Sequence, residues 1–345
     1  MKKVVIDKFI PFEGNPFEGV AEIERLAPAD INADTVRDAD ALIVRTRTRC
    51  DASLLENSRV GIVATATIGT DHLDFPYLAS RGIKTVSAPG CNAPAVTQYV
   101  FASLFSLGLG DPGMRLGIVG LGHVGSIVAS WALNFGMDVY ACDIPRQSRE
   151  HGWNPAAPLT AGDIPFRSLE EIARKCDAVT FHTPLTRSGD CPTFHLLDRD
   201  FLSVAPKALV INSARGPVAD TADLIAALRR GRVDNAAMDC WEGEPGISDE
   251  LLRLSRISTP HIAGYSIEGK KRATAVTFNA VLEYLGSDRR IDPGVPLTPP
   301  AAVSRQAVTD SYDPLADSIP LKSDPSSFES LRNHYPLRHE VPFKF

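Results

Sequence analysis

The stretch from residue 116 to residue 143 constrains the fold of this chain more than any other. An apolar strand, Leu-Gly-Ile-Val, leads into the turn Gly-Leu-Gly-His-Val-Gly at residues 120–125, and a helical pattern and a second strand follow. In such a turn Gly120 permits the tight bend, Gly122 lets the backbone approach a pyrophosphate, and Gly125 lets the helix lie close to the strand. The first turn of the helix then offers unpaired N–H groups to phosphates.

An acidic residue stands at the distance from this turn that a dinucleotide site requires. Asp143 follows Gly125 by 18 residues, at the tip of the second strand, where a carboxylate can accept both hydroxyls of an adenosine ribose. We therefore predict an NAD site that includes His123 and Val124 of the turn, with an ordinary glycine turn as the alternative. The negative charge of Asp143 would repel the 2′-phosphate of NADP and therefore favours NAD, although the positive charge of Arg146, close in sequence, argues in the other direction.

The bulk composition indicates a globular protein with two domains and an appendage. Of 345 residues, 44% are hydrophobic and 23% charged, and the formal net charge of −6 argues against a nucleic-acid partner. No apolar run approaches the length that spans a membrane, and the first residues are typical of a strand rather than of a secretory signal. The six cysteines include no CxxC pair, which predicts reduced thiols in the cytoplasm and no metal site.

Short apolar strands alternate with helical segments along most of the chain, which predicts an α/β fold with parallel sheets. We expect two Rossmann-like domains with a cleft between them. A flavodoxin-like substrate domain comprises residues 1–92 and 259–285, and a doubly wound NAD domain comprises residues 93–258. Residues 286–345 form a short C-terminal appendage in which prolines interrupt regular structure, and we interpret it as a dimerisation arm or a partly disordered tail.

Charged residues follow three strands of the predicted NAD domain. Arg215 follows the strand at 209–212, Glu244 lies in the loop after the strand at 235–238, and His261 follows the edge strand at 257–258. Ligands of open α/β sheets bind outside the carboxyl ends of the strands. Oxidation of an alcohol needs a base and a cation, so His261 is the candidate base, Glu244 its orienting partner, and Arg215 the carboxylate clamp. Singly, each could instead be a solvated or structural residue.

The order of these motifs resembles the D-isomer-specific 2-hydroxyacid dehydrogenases over residues 1 to about 285. The motifs are GxGxxG, Asn-Ser-Ala-Arg-Gly, Asp-x-Trp-x-x-Glu-Pro and Pro-His-Ile-Ala-Gly. The resemblance implies that Arg215, Glu244 and His261 are catalytic. It also implies NAD contacts at Thr183, Ala214, Asp239 and Gly264, and substrate contacts at Thr46, Thr67 and Tyr265.

Several short sequence motifs are similar to those of family members that oxidise a small phosphorylated hydroxy acid and dimerise through a C-terminal domain. One of them is the ten-residue motif at 261–270, His-Ile-Ala-Gly-Tyr-Ser-Ile-Glu-Gly-Lys. The substrate phosphate needs a further cation. Arg45, Arg47 and Arg49 alternate after the strand at 41–44 and would share one side of an extended segment, although a solvated strand end is an equal alternative. Other possible functions are a related dehydrogenase, such as one for 3-phosphoglycerate, or an NAD(H)-sensing binding protein.

Overall fold

The computed structural model describes residues 2–149, 164, 166–205, 208–296, 300 and 302–341. Contacts between Cα atoms divide the chain into two compact units. The first unit comprises Met1–Asn92 and Ser266–Thr298, and the second comprises Ala93–Tyr265 and Pro299–Phe345. The predicted two-domain α/β class is confirmed. Helices and strands are numbered below in chain order.

The first unit is built on a five-stranded parallel sheet in the order β2-β1-β3-β4-β5, which is the flavodoxin-like strand order. The strands are β1 (Lys2–Asp7), β2 (Ala21–Leu26), β3 (Ala41–Val44), β4 (Ile62–Thr65) and β5 (Lys84–Val86). The helices are α1 (Ala33–Val36), α2 (Ala52–Leu55), α3 (Phe75–Ser80) and α11 (Ile267–Tyr284). Every residue of β3 and β4 is buried, as expected for strands that helices cover on both faces.

The second unit is built on a six-stranded parallel sheet in the order β11-β10-β9-β8-β6-β7. Its strands are β6 (Arg115–Val119), β7 (Asp138–Cys142), β8 (Ala178–Phe181), β9 (Leu209–Asn212), β10 (Asn235–Met238) and β11 (Ile257–Ser258). Its helices before residue 260 are α4 (Ala93–Ser106), α5 (His123–Asn134), α6 (Ile144–Arg149), α7 (Leu169–Lys175), α8 (Arg199–Val204), α9 (Thr221–Arg229) and α10 (Asp249–Leu254).

This strand order is that of a doubly wound nucleotide-binding sheet. Phe166 forms an isolated parallel bridge to Ala141 of β7, in the position where a further strand lies in the Rossmann order. The order reverses at β6, because β7 extends the sheet on one side and β8 to β11 extend it on the other. The loops at the carboxyl ends of β6 and β8 therefore lie at the switch point, where such sheets bind their ligands.

The C-terminal segment is helical, which corrects the expectation of an appendage without regular structure. It contains α12 (Arg305–Ser311), α13 (Pro314–Ser323) and α14 (Phe328–Asn333). Ser304 and Asp313 cap the first two helices through their side chains, and Pro314 occupies the first position of α13, where a missing N–H costs nothing. The segment belongs to the second unit, and its buried residues join the two cores that contain α4 and α7, namely Val308, Tyr312, Leu321 and Phe328.

Candidate active site

The glycine turn joins β6 to α5 at the carboxyl edge of the second sheet. Gly122 is the N-cap of α5, and no atom lies within 4 Å of where its Cβ would be. A Cβ on Gly125 would lie 1.9 Å from the carbonyl oxygen of Gly120, so only glycine permits this contact between helix and turn. His123 is exposed and Val124 half-buried in the first turn of the helix. The turn is thus shaped for the close approach of a phosphate to the helix N-terminus.

Asp143 lies beside this turn at the end of β7. Its carboxylate accepts a hydrogen bond from the backbone N–H of Leu121 at 2.8 Å and another from the backbone N–H of Arg146 at 2.9 Å. The Arg146 guanidinium donates in turn to the carbonyl of Leu121 at 2.8 Å. The acid is therefore fixed against the glycine turn, at the place where an adenosine ribose binds in this class of sheet.

Two buried hydroxyls near the carboxyl ends of β8 and β9 have no hydrogen-bond partner within the described residues. They are the side-chain oxygens of Thr183 and Ser213. Buried polar atoms without partners are rare in native proteins, and a polar ligand over this edge of the sheet would satisfy both. Thr183 is a predicted NAD contact, whereas no sequence pattern indicated Ser213. Both hydroxyls fit a cofactor seated over this edge of the sheet.

Arg215 is half-buried in a tight loop directly after β9. The Asn212 side chain shapes this loop by donating to the carbonyl of Arg215 at 3.0 Å and by accepting from the N–H of Ala214 at 3.2 Å. A Cβ on Gly216 would lie 2.0 Å from the Trp241 carbonyl carbon, so glycine is required where the two loops touch. One guanidinium nitrogen of Arg215 donates to the carbonyl of Ala214 at 2.8 Å. These contacts hold the arginine against the loop that follows β10.

Asp239 organises the loop that carries the candidate base. It is 1% exposed, and its carboxylate accepts from the Thr259 hydroxyl at 2.7 Å and from the N–H groups of Ile262 and Ala263 at 2.7 and 3.0 Å. Burial raises the pKa of Asp239, against the opposing effects of nearby His261 and these hydrogen bonds. Every one of these contacts fixes the backbone on either side of His261. The predicted NAD contact Gly264 lies in the same loop.

His261 and Glu244 form the predicted pair. The Nδ1 atom of His261 lies 2.8 and 3.0 Å from the two carboxylate oxygens of Glu244, and each side chain is about a quarter exposed. His261 has a φ of 57°, a left-handed conformation that is uncommon outside glycine and is enriched at functional sites. The Nε2 atom makes no hydrogen bond to the described part of the chain. A histidine that donates Nδ1–H to a carboxylate presents Nε2 as a proton acceptor.

A second histidine in the same unit lacks this property. Both ring nitrogens of His195 are engaged, Nδ1 with Asp220 at 3.1 Å and Nε2 with Glu242 at 2.7 Å. Burial tends to raise the pKa of Glu242, but hydrogen bonds from His195 and Thr221 lower it overall. His195 therefore has no ring nitrogen available to a substrate.

Two arginines of the C-terminal segment adjoin the loop at 261–265, and no sequence motif indicated either of them. Arg338 donates to the carbonyls of Ile262 and Tyr265 at 3.0 and 3.2 Å and also to that of Ala263. Arg332, on α14, donates through Nε to the Tyr265 hydroxyl at 3.3 Å. The predicted substrate contact Tyr265 is thus held from both ends.

The remaining predicted substrate residues lie in the first unit. Arg45 donates to the fully buried carboxylate of Asp7 at 2.8 and 3.3 Å, so most of its guanidinium serves a structural ion pair. The segment after β3 also turns at Arg45, whose carbonyl accepts from the N–H of Thr48, so the expected extended row of arginines is wrong. Thr46 is exposed, and Thr67 lies 2.7 Å from the Thr65 hydroxyl.

Comparison with known proteins identifies the class that this fold and site define. Residues 104–263 match the family model described as the D-isomer specific 2-hydroxyacid dehydrogenase, NAD binding domain. Solved structures with the same fold include the TT0316 protein of Thermus thermophilus, with a TM-score of 0.68 and 26% identity over 86% of this chain and 100% of that one. D-lactate dehydrogenase of Aquifex aeolicus, complexed with NAD and lactic acid, has a TM-score of 0.66 and 23% identity over 82% and 95%.

Curated relatives narrow the assignment. Erythronate-4-phosphate dehydrogenase of Bacteroides thetaiotaomicron is 43% identical over 98% of this chain and 97% of the relative. The enzyme of that name from Pseudomonas putida is 39% identical over 98% and 93%. The chain belongs to the erythronate-4-phosphate dehydrogenase family. It is an NAD-dependent dehydrogenase, as the sequence predicted.

Two further findings concern membrane-spanning helices and metal sites. Within the described part of the chain, each helix is too short or too polar to cross a bilayer. No group of three or more His, Cys, Asp or Glu side chains in the described ranges is arranged to hold a metal ion.

Proposed function

We propose that this protein oxidises 4-phospho-D-erythronate at C2 to (R)-3-hydroxy-2-oxo-4-phosphooxybutanoate, with NAD as the electron acceptor, in pyridoxal 5′-phosphate biosynthesis. The proposal rests on full-length relatives that carry the name of this activity. The observation that supports the chemistry most directly is the contact between His261 and Glu244, in a loop next to the one that carries Arg215.

In this proposal the chain's own residues bind the carboxylate and take the proton. Arg215 holds the C1 carboxylate with two parallel hydrogen bonds, which places C2 in a fixed position. The Nε2 atom of His261 accepts the proton of the C2 hydroxyl as the O–H bond breaks and its electrons form the carbonyl. NAD, when bound, would supply the acceptor for the C2 hydrogen and its electron pair.

Glu244 acts through His261 and does not touch the substrate. Its carboxylate fixes the tautomer in which Nδ1 carries the hydrogen, so that Nε2 is free to accept the proton. When the imidazole becomes positively charged, the adjacent carboxylate stabilises that charge. The left-handed backbone of His261, held by Asp239, keeps the ring in this orientation.

We assign the cofactor contacts along the carboxyl edge of the second sheet. The turn residues Gly120, Gly122, His123, Val124 and Gly125 would hold the pyrophosphate, and Asp143 would hold the ribose. The residues that would hold the nicotinamide end are Thr183, Ala214, Asp239 and Gly264. Support comes from the unpartnered hydroxyl of Thr183 and from the absence of obstruction at Gly122.

The first unit serves as the substrate domain in this proposal, and Thr46 and Thr67 are its proposed substrate contacts. In the second unit, Tyr265 is the proposed substrate contact. Arg45 stays a candidate for substrate binding only through the guanidinium nitrogen that Asp7 leaves unused.

We further propose that the protein is a cytoplasmic homodimer that associates through residues 286–345. Association is supported by the apolar side chain of Ile319 on α13, which is 65% exposed. The cytoplasmic location is supported by the six cysteines, all of which are free thiols.

The test is NADH formation by the purified protein with three acids: erythronate 4-phosphate, non-phosphorylated erythronate and 3-phosphoglycerate. We expect kcat/KM for erythronate 4-phosphate to exceed that for erythronate by at least about 100-fold, because a charged group left without its partner loses roughly 3 kcal/mol. It should also exceed the value for 3-phosphoglycerate, whose shorter chain places the phosphate differently. A preference for 3-phosphoglycerate would reassign the substrate within the same class. Absence of turnover with all three, with NAD still bound, would favour an NAD(H)-sensing role.

A further inference from the structure

The C-terminal segment places a second arginine beside the candidate catalytic pair. Arg332 lies on α14 and is half-buried. Its Nε atom donates to the hydroxyl of Tyr265 at 3.3 Å, four residues after His261. Its two Nη atoms make no hydrogen bond to any described residue. Two donor groups of a half-buried guanidinium therefore remain available for a ligand.

The surroundings of Arg332 place it on the same side of the second unit as the other candidate residues. Arg332 interacts electrostatically with Glu244 and with the buried Cys240. Cys240 also interacts with Arg215, and its thiol lies 3.5 Å from the carbonyl of Ala214. Burial opposes the charge on Arg332, but Tyr265 and Glu244 raise its pKa overall. The guanidinium is a permanent cation next to the proposed site of proton transfer.

The segment that carries Arg332 is fixed to the loop at 261–265. The Arg338 guanidinium bonds to three carbonyls of that loop and also to the side chain of Gln98 at 3.1 Å. The ring of Tyr335 packs edge-on against Tyr265, with 6.2 Å between centroids. Arg332 is therefore positioned as firmly as the loop itself, and it differs in this from an arginine on a free tail.

The substrate of the proposed function carries two anionic groups, and the site needs a cation for each. Arg215 is assigned to the carboxylate, while Asp7 occupies most of the Arg45 guanidinium. We propose that Arg332, held by Tyr265, binds the phosphate of the substrate through its free Nη atoms. A planar guanidinium offers two parallel donors to a phosphate. This inference rests on the proposed function for the identity of the phosphorylated acid.

The kinetic test compares Arg332→Met with wild type on erythronate 4-phosphate and on non-phosphorylated erythronate. We expect KM for the phosphorylated acid to rise roughly 30- to 100-fold, as for loss of a charged hydrogen-bonded pair, while kcat/KM for erythronate falls by a much smaller factor. Arg305→Met is the matched control, because Arg305 lies in the same segment but pairs with Asp111 at 2.7 Å. Equal losses on both acids would overturn phosphate binding and leave Arg332 as a support for Tyr265.

A binding test separates this inference from the proposed function. Inorganic phosphate should raise the thermal midpoint of the full-length, NAD-saturated wild-type protein and of Arg305→Met, but not that of Arg332→Met. Arg332→Lys, which keeps the charge without the fork, should retain part of this effect and is the readout if the methionine variant fails to fold. An undiminished phosphate effect in both Arg332 variants would overturn the inference, whatever acid the wild type oxidises. If the wild type oxidises none of the acids, the proposed function is contradicted, but the inference that Arg332 binds phosphate is not.

Discussion

Substitution of Glu244 by glutamine tests how much the carboxylate contributes through His261. The amide can still accept the Nδ1 hydrogen, so the substitution removes the charge and keeps the shape. When a positive imidazole and a carboxylate are in hydrogen-bond contact, their charge centres are about 4 Å apart. Two such charges attract by about 4 kcal/mol at an effective dielectric constant of 20. The two side chains are 24% and 22% exposed, so solvent screening reduces this to roughly 2 kcal/mol. We therefore expect kcat to fall about 30-fold.

The assay is NADH formation at saturating NAD and substrate, together with a fluorescence titration of NAD. The affinity for NAD should stay unchanged, because the effect arises only when His261 takes the proton. Glu242→Gln is the matched control: it lies two residues earlier and its carboxylate accepts from His195 at 2.7 Å. The reasoning is refuted if Glu244→Gln keeps the kcat of wild type, or if Glu242→Gln lowers kcat by the same factor.

Two further substitutions probe the cofactor site and the acid stability of the second unit. Asp143→Ala should weaken NAD binding about 10- to 100-fold, through loss of charged hydrogen bonds to the ribose, with little change in the substrate KM; equal losses would place the ribose elsewhere. Asp177→Asn should lower stability to urea near neutral pH by about 0.5–1 kcal/mol, because hydrogen bonds from Arg115 lower the pKa of Asp177 in the folded state. A carboxylate whose pKa is lower in the folded state stabilises the protein only above its pKa in the unfolded state. The difference in unfolding free energy between wild type and Asp177→Asn should therefore shrink below about pH 4. A difference that stays constant with pH would exclude the ion pair with Arg115 as its origin.

The two sheets could be predicted from the sequence because their central strands are continuous apolar runs. The residues of β3 and β4 and those of β8 and β9 are wholly buried, and the glycine turn after β6 identifies the nucleotide-binding sheet. The edge strand β2 is not a continuous apolar run, because charged residues interrupt its sequence Ala-Glu-Ile-Glu-Arg-Leu at the rim of the sheet. Local pattern thus predicts the interior of a sheet better than its border.

The C-terminal segment shows why part of the site could not be predicted. Its prolines indicated broken structure, yet Pro314 begins a helix and Pro320 lies within one. The contacts of Arg332 and Arg338 with the loop at 261–265 join residues 67 to 76 positions apart in the sequence. Arg45 illustrates the converse, because its partner Asp7 is 38 residues away. An isolated arginine in the sequence gives no sign of which distant oxygen it will bind.

The most direct test of the account is the rate of a single turnover in His261→Asn, with NAD and erythronate 4-phosphate both saturating. Asparagine tolerates the left-handed backbone that position 261 adopts, so the loop should keep its shape while the base is removed. We predict that NADH forms at least about 100-fold more slowly than in wild type, the contribution expected of a general base, with NAD affinity unchanged. A single-turnover rate equal to that of wild type would contradict the assignment of His261 as the group that takes the proton.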